Sequence, residues 1–442
     1  MSNKLSDIVD FNPSRMLKKG TIAPFIEMAS LPTNTKFIKQ IDEKPFSGGS
    51  KFKNGDTLFA RITPCLENGK TGKVTNLKDE MIGHGSTEFI VMSAKEPEFD
   101  EDYIYYFARL PEFREFAQQR MVGTSGRQRV AWQDLADFEF IFPPKEQRKK
   151  AAALLNIYDQ KIDLNTQINQ NLEQIAQALF KSWFVDFDPV RAKVQALSDC
   201  LSLEQAELAA MQAISGKTPE ELTALSQAQP DRYAELAETA KAFPCEMVEV
   251  DGVEVPKGWN LKALDEIANY QNGLALQKFR PEDDEPFLPV VKIAQLRQGY
   301  ADGEEKAKAS IKPECIIDNG DVIFSWSGSL LVDIWCGGKA ALNQHLFKVT
   351  SKRYPKWFYY FYTKYHLAEF QRIAYDKAVT MGHIKREHLS AAKCIVPNDE
   401  LLANKTLENI LEKIIFNRLE NFNLQDTRDL LLPRLLNGEI QL

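Results

Sequence analysis

Among 442 residues there are six cysteines and no C-x-x-C pair. Cys65, Cys200, Cys245, Cys315, Cys336 and Cys394 are scattered, and reduced cytoplasmic thiols are their simplest account. Cys315, Cys336 and His345 fit no compact zinc motif, so no metal site is expected. No apolar run is long enough to cross a bilayer. The opening MSNKLSDIVDFNPSRM also lacks the basic-then-apolar layout of a signal peptide, so neither export nor a membrane partner is expected. The phosphate-cradling G-x-x-x-x-G-K-[ST] loop is missing. Gly83-His84-Gly85-Ser86 offers a base and a hydroxyl only as chain neighbours, which is not the geometry of a triad. No catalytic residue and no cofactor of its own is assigned to this chain.

A local absence is equally informative. From residue 145 to 184 there is no proline and no glycine. Leu155, Tyr158, Ile162, Asn165, Ile168, Leu172, Ile175 and Leu179 recur there at spacings of three and four, the seam of a long helix. Forty residues at about 1.5 Å each make a rod of roughly 60 Å, and so long a helix needs a partner to stay rigid. A second stretch after Pro397 supplies one. Leu407, Ile410, Ile414, Asn417 and Leu424 fall on Leu155, Tyr158, Ile162, Asn165 and Leu172 when shifted by 252 positions. The repeated asparagine stands where a polar residue fixes register.

The formal charge of −7 does not describe the rest of the chain, because twelve acidic and five basic residues between Val190 and Val255 carry all of it. The remainder is neutral and holds local basic clusters.

The first and second halves repeat. PFIEMASL at Pro24 aligns with PVVKIAQL at Pro289, an offset of 265. The same offset carries Asn54-Gly55-Asp56-Thr57-Leu58-Phe59 onto Asn319-Gly320-Asp321-Val322-Ile323-Phe324. Glu88-Phe89-Ile90-Val91 matches Leu346-Phe347-Lys348-Val349 near 258, and the segment from Leu135 to Pro143 overlays that from Leu389 to Pro397 at 254. In the first module, strands are expected at 24–31, 57–62, 86–93 and 137–144, a helix at 102–119, and a loop at 122–130. The series of strand, NGD turn, strand, helix, glycine loop, strand, proline and long helix occurs twice, which is the signature of a duplication. The expected fold is mixed α/β, with two similar recognition domains joined and spaced by two long antiparallel coiled-coil helices. The divisions are 1–143, a central helix 144–187, an acidic linker with short helices 188–256, a second module 257–397 and a C-terminal helix 398–442. A fixed head-to-head separation suits a long regular ligand such as duplex DNA.

On NGDTLFARITPCLENGKTGKV, the central PPKEQ-to-WFVDFDPV segment, VEVPKGW, NGDVIFSWSG, IVPNDELL and LLPRLLNGEI, the chain resembles the specificity subunit of a type I DNA restriction–modification system. The resemblance spans nearly the full length. It implies two recognition domains that each read half of a bipartite double-stranded DNA target, two modification subunits held by the helices, and restriction subunits in the full complex. It also assigns S-adenosylmethionine and adenine-N6 methylation to the modification partner, and ATP and Mg to the restriction partner. The asparagine-proline-proline-aromatic motif of adenine methylases is absent here, in keeping with that division. The alternatives are a self-contained methyltransferase or nuclease, and a scaffold with duplicated peptide-binding heads.

Duplex binding needs phosphate contacts and base-edge contacts. In the first module the candidates are Lys51, Lys53, Arg61, Lys70, Lys73, Arg120, Thr124, Ser125, Arg127, Gln128 and Arg129. In the second they are Lys306, Lys308, Lys312, Lys339, Asn343, Gln344, His345, Lys377, His383, Lys385 and Arg386. Candidates for partner docking are Phe180, Trp183, Phe184 and Phe187 at the end of the central helix, and Leu431, Leu432, Leu435, Leu436 and Ile440 near the C-terminus, with internal packing as the rival use.

Overall fold

Thr57–Ala60 is buried on both faces, and its alternation feeds two cores. Leu58 and Ala60 enter a cluster with Ile26, Phe52, Phe89 and Val91. Phe59 joins Ile90, Met92, Tyr103 and Phe107. These residues belong to the first of two units, Met1–Gln167 with Glu420–Leu442; the second is Ile168–Leu419. A computed structural model describes residues 3–78, 80–124, 126–376 and 382–442. Two candidates, Ser125 and Lys377, lie outside the described residues.

The first unit holds two four-stranded sheets. One runs Val9–Phe11, Phe89–Ala94, Thr57–Ala60, Thr71–Lys73, all antiparallel. The other runs Asp42–Pro45, Ile22–Ile26, Gly83–Gly85, Ser50–Phe52, with one parallel pair in its middle. The second unit has the same two orders. Its sheets run Asn269–Asn272, Leu346–Thr350, Val322–Ser325, Val332–Ile334, and Lys306–Lys308, Phe287–Val291, Ala340–Leu342, Ile316–Ile317. The strand ladders correct one alignment. Thr57 pairs with Met92 as Val322 pairs with Val349, so Phe89 corresponds to Leu346 at an offset of 257 rather than 258. Glu88 therefore corresponds to His345. A slip of one residue would have exchanged the inward and outward faces.

The NGD turns are structural. Gly55 and Gly320 take φ of +90° and +87°, a conformation glycine adopts without steric cost. Asp56 accepts from its own turn's Lys53 N–H at 2.7 Å, and Asp321 from Asp318 N–H at 2.8 Å. Other elements differ in extent from the sequence expectation. The helix expected at 102–119 is two, Pro97–Phe107 and Pro111–Gln119, because Pro111 has no N–H to continue a helix and suits a first turn. The strand expected at 24–31 ends at Ile26 and gives way to a short 3-10 turn. The closing strand shrinks to Glu139–Phe140, paired with Asn3–Lys4.

Two long helices, Lys145–Phe184 and Lys405–Leu436, contribute a stretch to each unit. Within the first unit, Asn165 Nδ2 donates to Glu420 at 2.6 Å and to Asn421 Oδ1 at 2.9 Å. Asp159 pairs with Arg428, and Gln147 reaches the Ile440 carbonyl at 3.1 Å. Rising numbers meet falling ones, so the helices run antiparallel. Within the second unit, Asn417 Nδ2 donates to Asn169 Oδ1 at 2.9 Å and Asn169 Nδ2 to the Ile414 carbonyl at 3.1 Å. Leu155, Ile162, Asn165, Leu407, Ile414 and Asn417 are buried, while Tyr158, Ile168, Leu172, Leu179, Ile410 and Leu424 are half-buried. Ile175 departs from the expected seam. It is 50% exposed, and Ala176 is buried in its place. A helix of 3.6 residues per turn drifts against a strict 3.5 repeat, so the contact steps by four from Leu172 to Ala176 and again to Phe180.

The aromatic cluster at the end of the central helix is also corrected. Phe180, Trp183, Phe184 and Phe187 are all buried in the second unit. Phe180 meets Tyr362 at 4.8 Å, Trp183 meets Phe243 at 5.5 Å, Phe184 meets Trp357 at 5.4 Å, and Phe187 meets Trp259 at 5.8 Å between ring centres. In the first unit Leu432, Leu435 and Leu436 fill the core beside Tyr103, with Leu431 and Ile440 packed on its margin. Buried side chains do not offer a docking surface, so the four aromatics and Leu432, Leu435 and Leu436 are core residues. The short helices expected in the acidic linker are present, and they form a folded insertion. Asp188–Ser198, Leu203–Ser215, Pro219–Ala228 and Pro230–Ala242 are helices, followed by a hairpin of Met247–Val250 and Val253–Pro256. Capping boxes at Ser202 with Gln205 and Thr218 with Glu221 start two of these helices. Ala210, Met211, Leu222 and Ala240 give the insertion its own small core. Among the described residues, no helix is long and apolar enough to cross a membrane.

The Asp159–Arg428 pair yields a stability prediction. Both side chains are 1% exposed, and Tyr106 Oη also donates to Asp159 at 2.6 Å. The positions that match them under the 252 shift are Leu411 and Ala176, an apolar pair buried in the second unit. Arg428→Met leaves a buried carboxylate unpaired and is expected to cost about 3–5 kcal/mol in chemical denaturation. The double variant D159L/R428A copies the apolar solution and is expected to regain about half of that loss or more.

Candidate nucleic-acid interface

In the first unit three segments meet just past the end of Thr57–Ala60. The Arg61 N–H donates to the Glu88 carbonyl at 3.1 Å, the Val130 N–H to the Arg61 carbonyl at 3.0 Å, and the Thr63 N–H to the Gln128 carbonyl at 3.1 Å. The strand extension, the turn before Phe89–Ala94 and the glycine loop are thereby tied together. The loop closes on itself through paired bonds between Val122 and Arg129 at 2.9 and 3.0 Å. Glu88 organises the charge at this junction. Its carboxylate accepts from Arg129 Nε at 2.9 Å and Nη2 at 2.7 Å, and Arg61 Nε lies 3.9 Å away. The bond to Glu88, then its charge, raises the Arg129 pKa further above an already high value. Thr124 and Arg127 are exposed on the loop, while Gln128 and Arg129 are half-buried. Arg120 is exposed beside it, with its guanidinium over the Phe116 ring.

The lysines of the first module disperse. The four-residue strand separates the NGD turn from the glycine loop by about 13 Å. Lys53 is exposed at the NGD end. Lys51 there donates to the Arg15 carbonyl at 2.8 Å, and Lys70, at the loop end, donates to the Met28 carbonyl at 2.8 Å. Lys73 is not a surface group. It is 1% exposed, donates to the Glu101 carbonyl, and lies 3.4 Å from the Glu101 and 3.5 Å from the Asp102 carboxylates. It is withdrawn as a DNA contact because a neighbouring strand and helix cover it.

The second unit repeats the junction. The Trp326 N–H donates to the His345 carbonyl at 3.3 Å, the Ile384 N–H to the Trp326 carbonyl at 3.0 Å, and the Gly328 N–H to the Gly382 carbonyl at 2.9 Å. These bonds match those of Arg61, Val130 and Thr63 one for one. The side chains do not match. Arg61, Glu88 and Arg129 are replaced by Trp326, His345 and His383. Ser327 Oγ lies 2.9 Å from His345 Nδ1, and the Trp326 ring stands 5.9 Å from His345 and 6.4 Å from His383. Gln344 Nε2 is 3.3 Å from His345 Nε2.

Asn343 is withdrawn. It is 4% exposed, and its side-chain oxygen accepts the His345 N–H at 3.2 Å, so it shapes the turn rather than facing outward. Arg386 donates to the Tyr270 carbonyl at 3.1 Å, and Lys385 is exposed near Glu387. Lys306 sits over the Phe287 ring at 4.1 Å, and Lys308 pairs with Glu285 at 3.0 Å, both on the other sheet. Lys312 and Lys339 are exposed. Lys339 follows Gly338, which binds the Asn319 side chain at the NGD end, so it is remote from the junction. Glu88 was not selected from sequence. Moving its strand by one residue, onto His345, would have exposed it.

Among the described residues, no group of three or more histidine, cysteine or acidic side chains is arranged to hold a metal ion. What the geometry defines is a duplicated α/β recognition protein on paired helices, with one backbone scaffold carrying two different sets of side chains. The type I restriction modification DNA specificity domain model matches residues 2–174 and 256–427. The chain is 39% identical over 430 residues to the type I restriction enzyme HindI specificity subunit of Haemophilus influenzae, covering 92% of each. It is 23% identical over 351 residues to the MjaIX specificity subunit of Methanocaldococcus jannaschii, covering 77% of this chain and 69% of that one. The S subunit of a type I system from M. genitalium aligns at 13% identity and a TM-score of 0.47, over 99% of this chain and 96% of that one. The chain belongs to the family of type I restriction–modification DNA specificity subunits. Its role is DNA recognition within such a complex, together with the other subunits, rather than self-contained catalysis.

The buried lysine gives a pH test. Burial pushes the Lys73 ammonium down to about 8, against the opposing pull of Asp102 and Glu101. Between about 8 and 10.5 the unfolded chain binds more protons at this site than the folded one, so stability rises with pH there. Lys73→Met removes that rise. From pH 8 to 10.5, wild type is expected to gain up to about 3 kcal/mol relative to the variant in urea titrations.

Proposed function

We propose that each unit reads one half of a bipartite double-stranded DNA target and that the helix pair sets the number of unread base pairs between the halves. The observation that carries this reading is the repeated three-segment junction, one backbone pattern with two side-chain sets, in a chain of this family. The recognition domains are assigned to 1–143 and 257–397. Base reading is assigned to the junctions, with Arg61, Thr124, Arg127, Gln128 and Arg129 in the first and Gln344, His345, His383, Lys385 and Arg386 in the second. Lys53, Lys70, Arg120, Lys306, Lys308, Lys312 and Lys339 are assigned to phosphates, where contacts position the protein without reading sequence. The complex acts in the cytoplasm. Two modification subunits bind S-adenosylmethionine and receive target adenines flipped out of the duplex. Restriction subunits supply ATP- and Mg-dependent cleavage.

Docking of the modification partners is reassigned to apolar side chains left exposed on the helices, since the buried clusters are occupied. Ile157, Leu164 and Leu430 are exposed in the first unit, and Ile175 and Phe416 in the second. Leu164 and Phe416 correspond under the 252 shift. Exposed apolar groups on a helix suit packing by a partner helix.

Two experiments test the reading. Mapping of N6-methyladenine in cells holding this chain and its modification partner is expected to return one bipartite motif. Matched insertions of two helical turns in both long helices are expected to change its spacing but not its half-sites; unchanged spacing in an active complex would refute the ruler. Separately, L164D/F416D is expected to weaken co-purification of the modification subunit at least tenfold while the isolated chain's unfolding midpoint stays put.

A further inference from the structure

We infer that Glu88 is a specificity-determining residue of the first half-site, acting with Arg129 as a composite reader of a single G·C base pair; this rests on the DNA-reading function proposed above. The argument begins with the duplication. At the junction both units keep the same backbone hydrogen bonds, and both keep the neighbouring core, as Phe59 and Phe324 show. Yet Arg61, Glu88 and Arg129 have become Trp326, His345 and His383. A purely structural ion pair would have been free to change anywhere on the surface. Here all three members of one charge network differ together, at positions that neither sheet needs for its core.

The geometry then states what the pair does. Both Glu88 oxygens lie within 3.0 Å of Arg129 Nε. The carboxylate also takes Nη2, which fixes the plane of a guanidinium whose side chain is 40% exposed. Clamping that edge leaves the opposite one: Nη1, which makes a 3.4 Å bond to the Arg127 carbonyl and carries a second hydrogen, and the remaining Nη2 hydrogen, two parallel donors for an incoming group. Two such donors match guanine O6 and N7 in the major groove. Glu88 is itself 22% exposed and has lone pairs to spare, and a carboxylate accepts from the amino group of cytosine. One ion pair thus addresses both partners of one base pair. It also resists adenine, whose N6 amino group would face the arginine's donors. The order in which Glu88 holds Arg129 before DNA arrives matters as well, because an arginine fixed in one plane loses less conformational freedom on binding. At the matching positions of the second unit stand His345 and His383, with Ser327 and Trp326 against His345.

The test uses the full chain with its modification partner in cells, and methylome sequencing reads both half-sites at once. Glu88→Gln keeps shape and removes the charge; Glu88→Asp keeps the charge and shortens the reach. Both are expected to relax one G·C position of the first half-site by about tenfold or more in methylation preference, while the second half-site and the spacing stay fixed and so report an intact complex. An unchanged first half-site in both variants overturns the inference. So does equal relaxation of both half-sites, relaxation at an A·T position, or complete loss of methylation in both variants, since each assigns Glu88 a role in folding or general affinity. If the unaltered complex itself yields no bipartite motif, it is the underlying DNA-reading function that fails.

Discussion

Two asparagine pairs, each with a buried donor in Asn165 or Asn417, fix how the long helices meet, and the rest of the architecture inherits that register. Asn165 donates to Asn421 in one unit and Asn417 to Asn169 in the other. The two bonds are copies under the same shift of 252, as are those from Asn421 to the Ile162 carbonyl and from Asn169 to the Ile414 carbonyl. Leucine and isoleucine seams tolerate sliding by a turn at small cost, because one apolar contact replaces another. An amide buried without its partner costs about 1–3 kcal/mol, so a slipped pairing here strands several groups at once. The polar positions trade stability for a single alignment.

The heads take their orientation from the same helices through polar contacts of a different kind in each unit. In the first, Tyr106 donates to Asp159, Lys36 reaches Asn156 at 2.6 Å, and Arg148 forms a two-pronged buried pair with Asp100. In the second, Lys364 and Tyr360 converge on Glu173, and Tyr362 donates to the Phe184 carbonyl at 3.1 Å. Burial of ring area holds head to helix in both cases. Directional bonds decide the angle, and a recognition loop is only as well placed as the helix to which its domain is pinned.

Periodicity and repetition made the architecture legible from sequence, since they are patterns of residue type alone. The duplication, both long helices and the NGD turns follow from such patterns. The misreadings have physical causes that residue type does not carry. Phe89 and Ile90 are as apolar as Leu346 and Phe347, so an alignment one residue out scores nearly as well, and only ladder hydrogen bonds distinguish them. Lys73 looks like its neighbour Lys70, but Glu101 and Asp102 arrive from a distant helix to bury and neutralise it. The aromatic end of the central helix suits partner docking and internal packing alike until Trp259 and Trp357 are known to lie beside it. The acidic stretch, taken as a linker with short helices, has two capping boxes, but the small core that makes it a packed insertion was not read. Each glycine loop is tied by backbone bonds to the end of a strand, whereas Lys51 and Lys53 stand at the far end of that strand in the first unit.

The buried ion pair between the two long helices, Asp159 with Arg428, is not copied by the duplication and bears on how a repeated chain avoids pairing like with like. If a central helix met a second central helix in the same antiparallel register, Asp159 would face Ala176, since Ala176 holds the place that Arg428 holds in the C-terminal helix. Two C-terminal helices would likewise set Arg428 against Leu411. Each wrong pairing buries an ion with no partner, twice over by symmetry, at a cost of several kcal/mol for each ion. The Asn165–Asn421 and Asn417–Asn169 bonds cannot supply this discrimination, because they are copies of one another and would re-form in either wrong pair. The correct pairing sets the arginine against the aspartate, which also accepts from Tyr106, and places the apolar Leu411 and Ala176 in the other unit. Asymmetry at one layer is therefore what makes a nearly symmetric helix pair unambiguous.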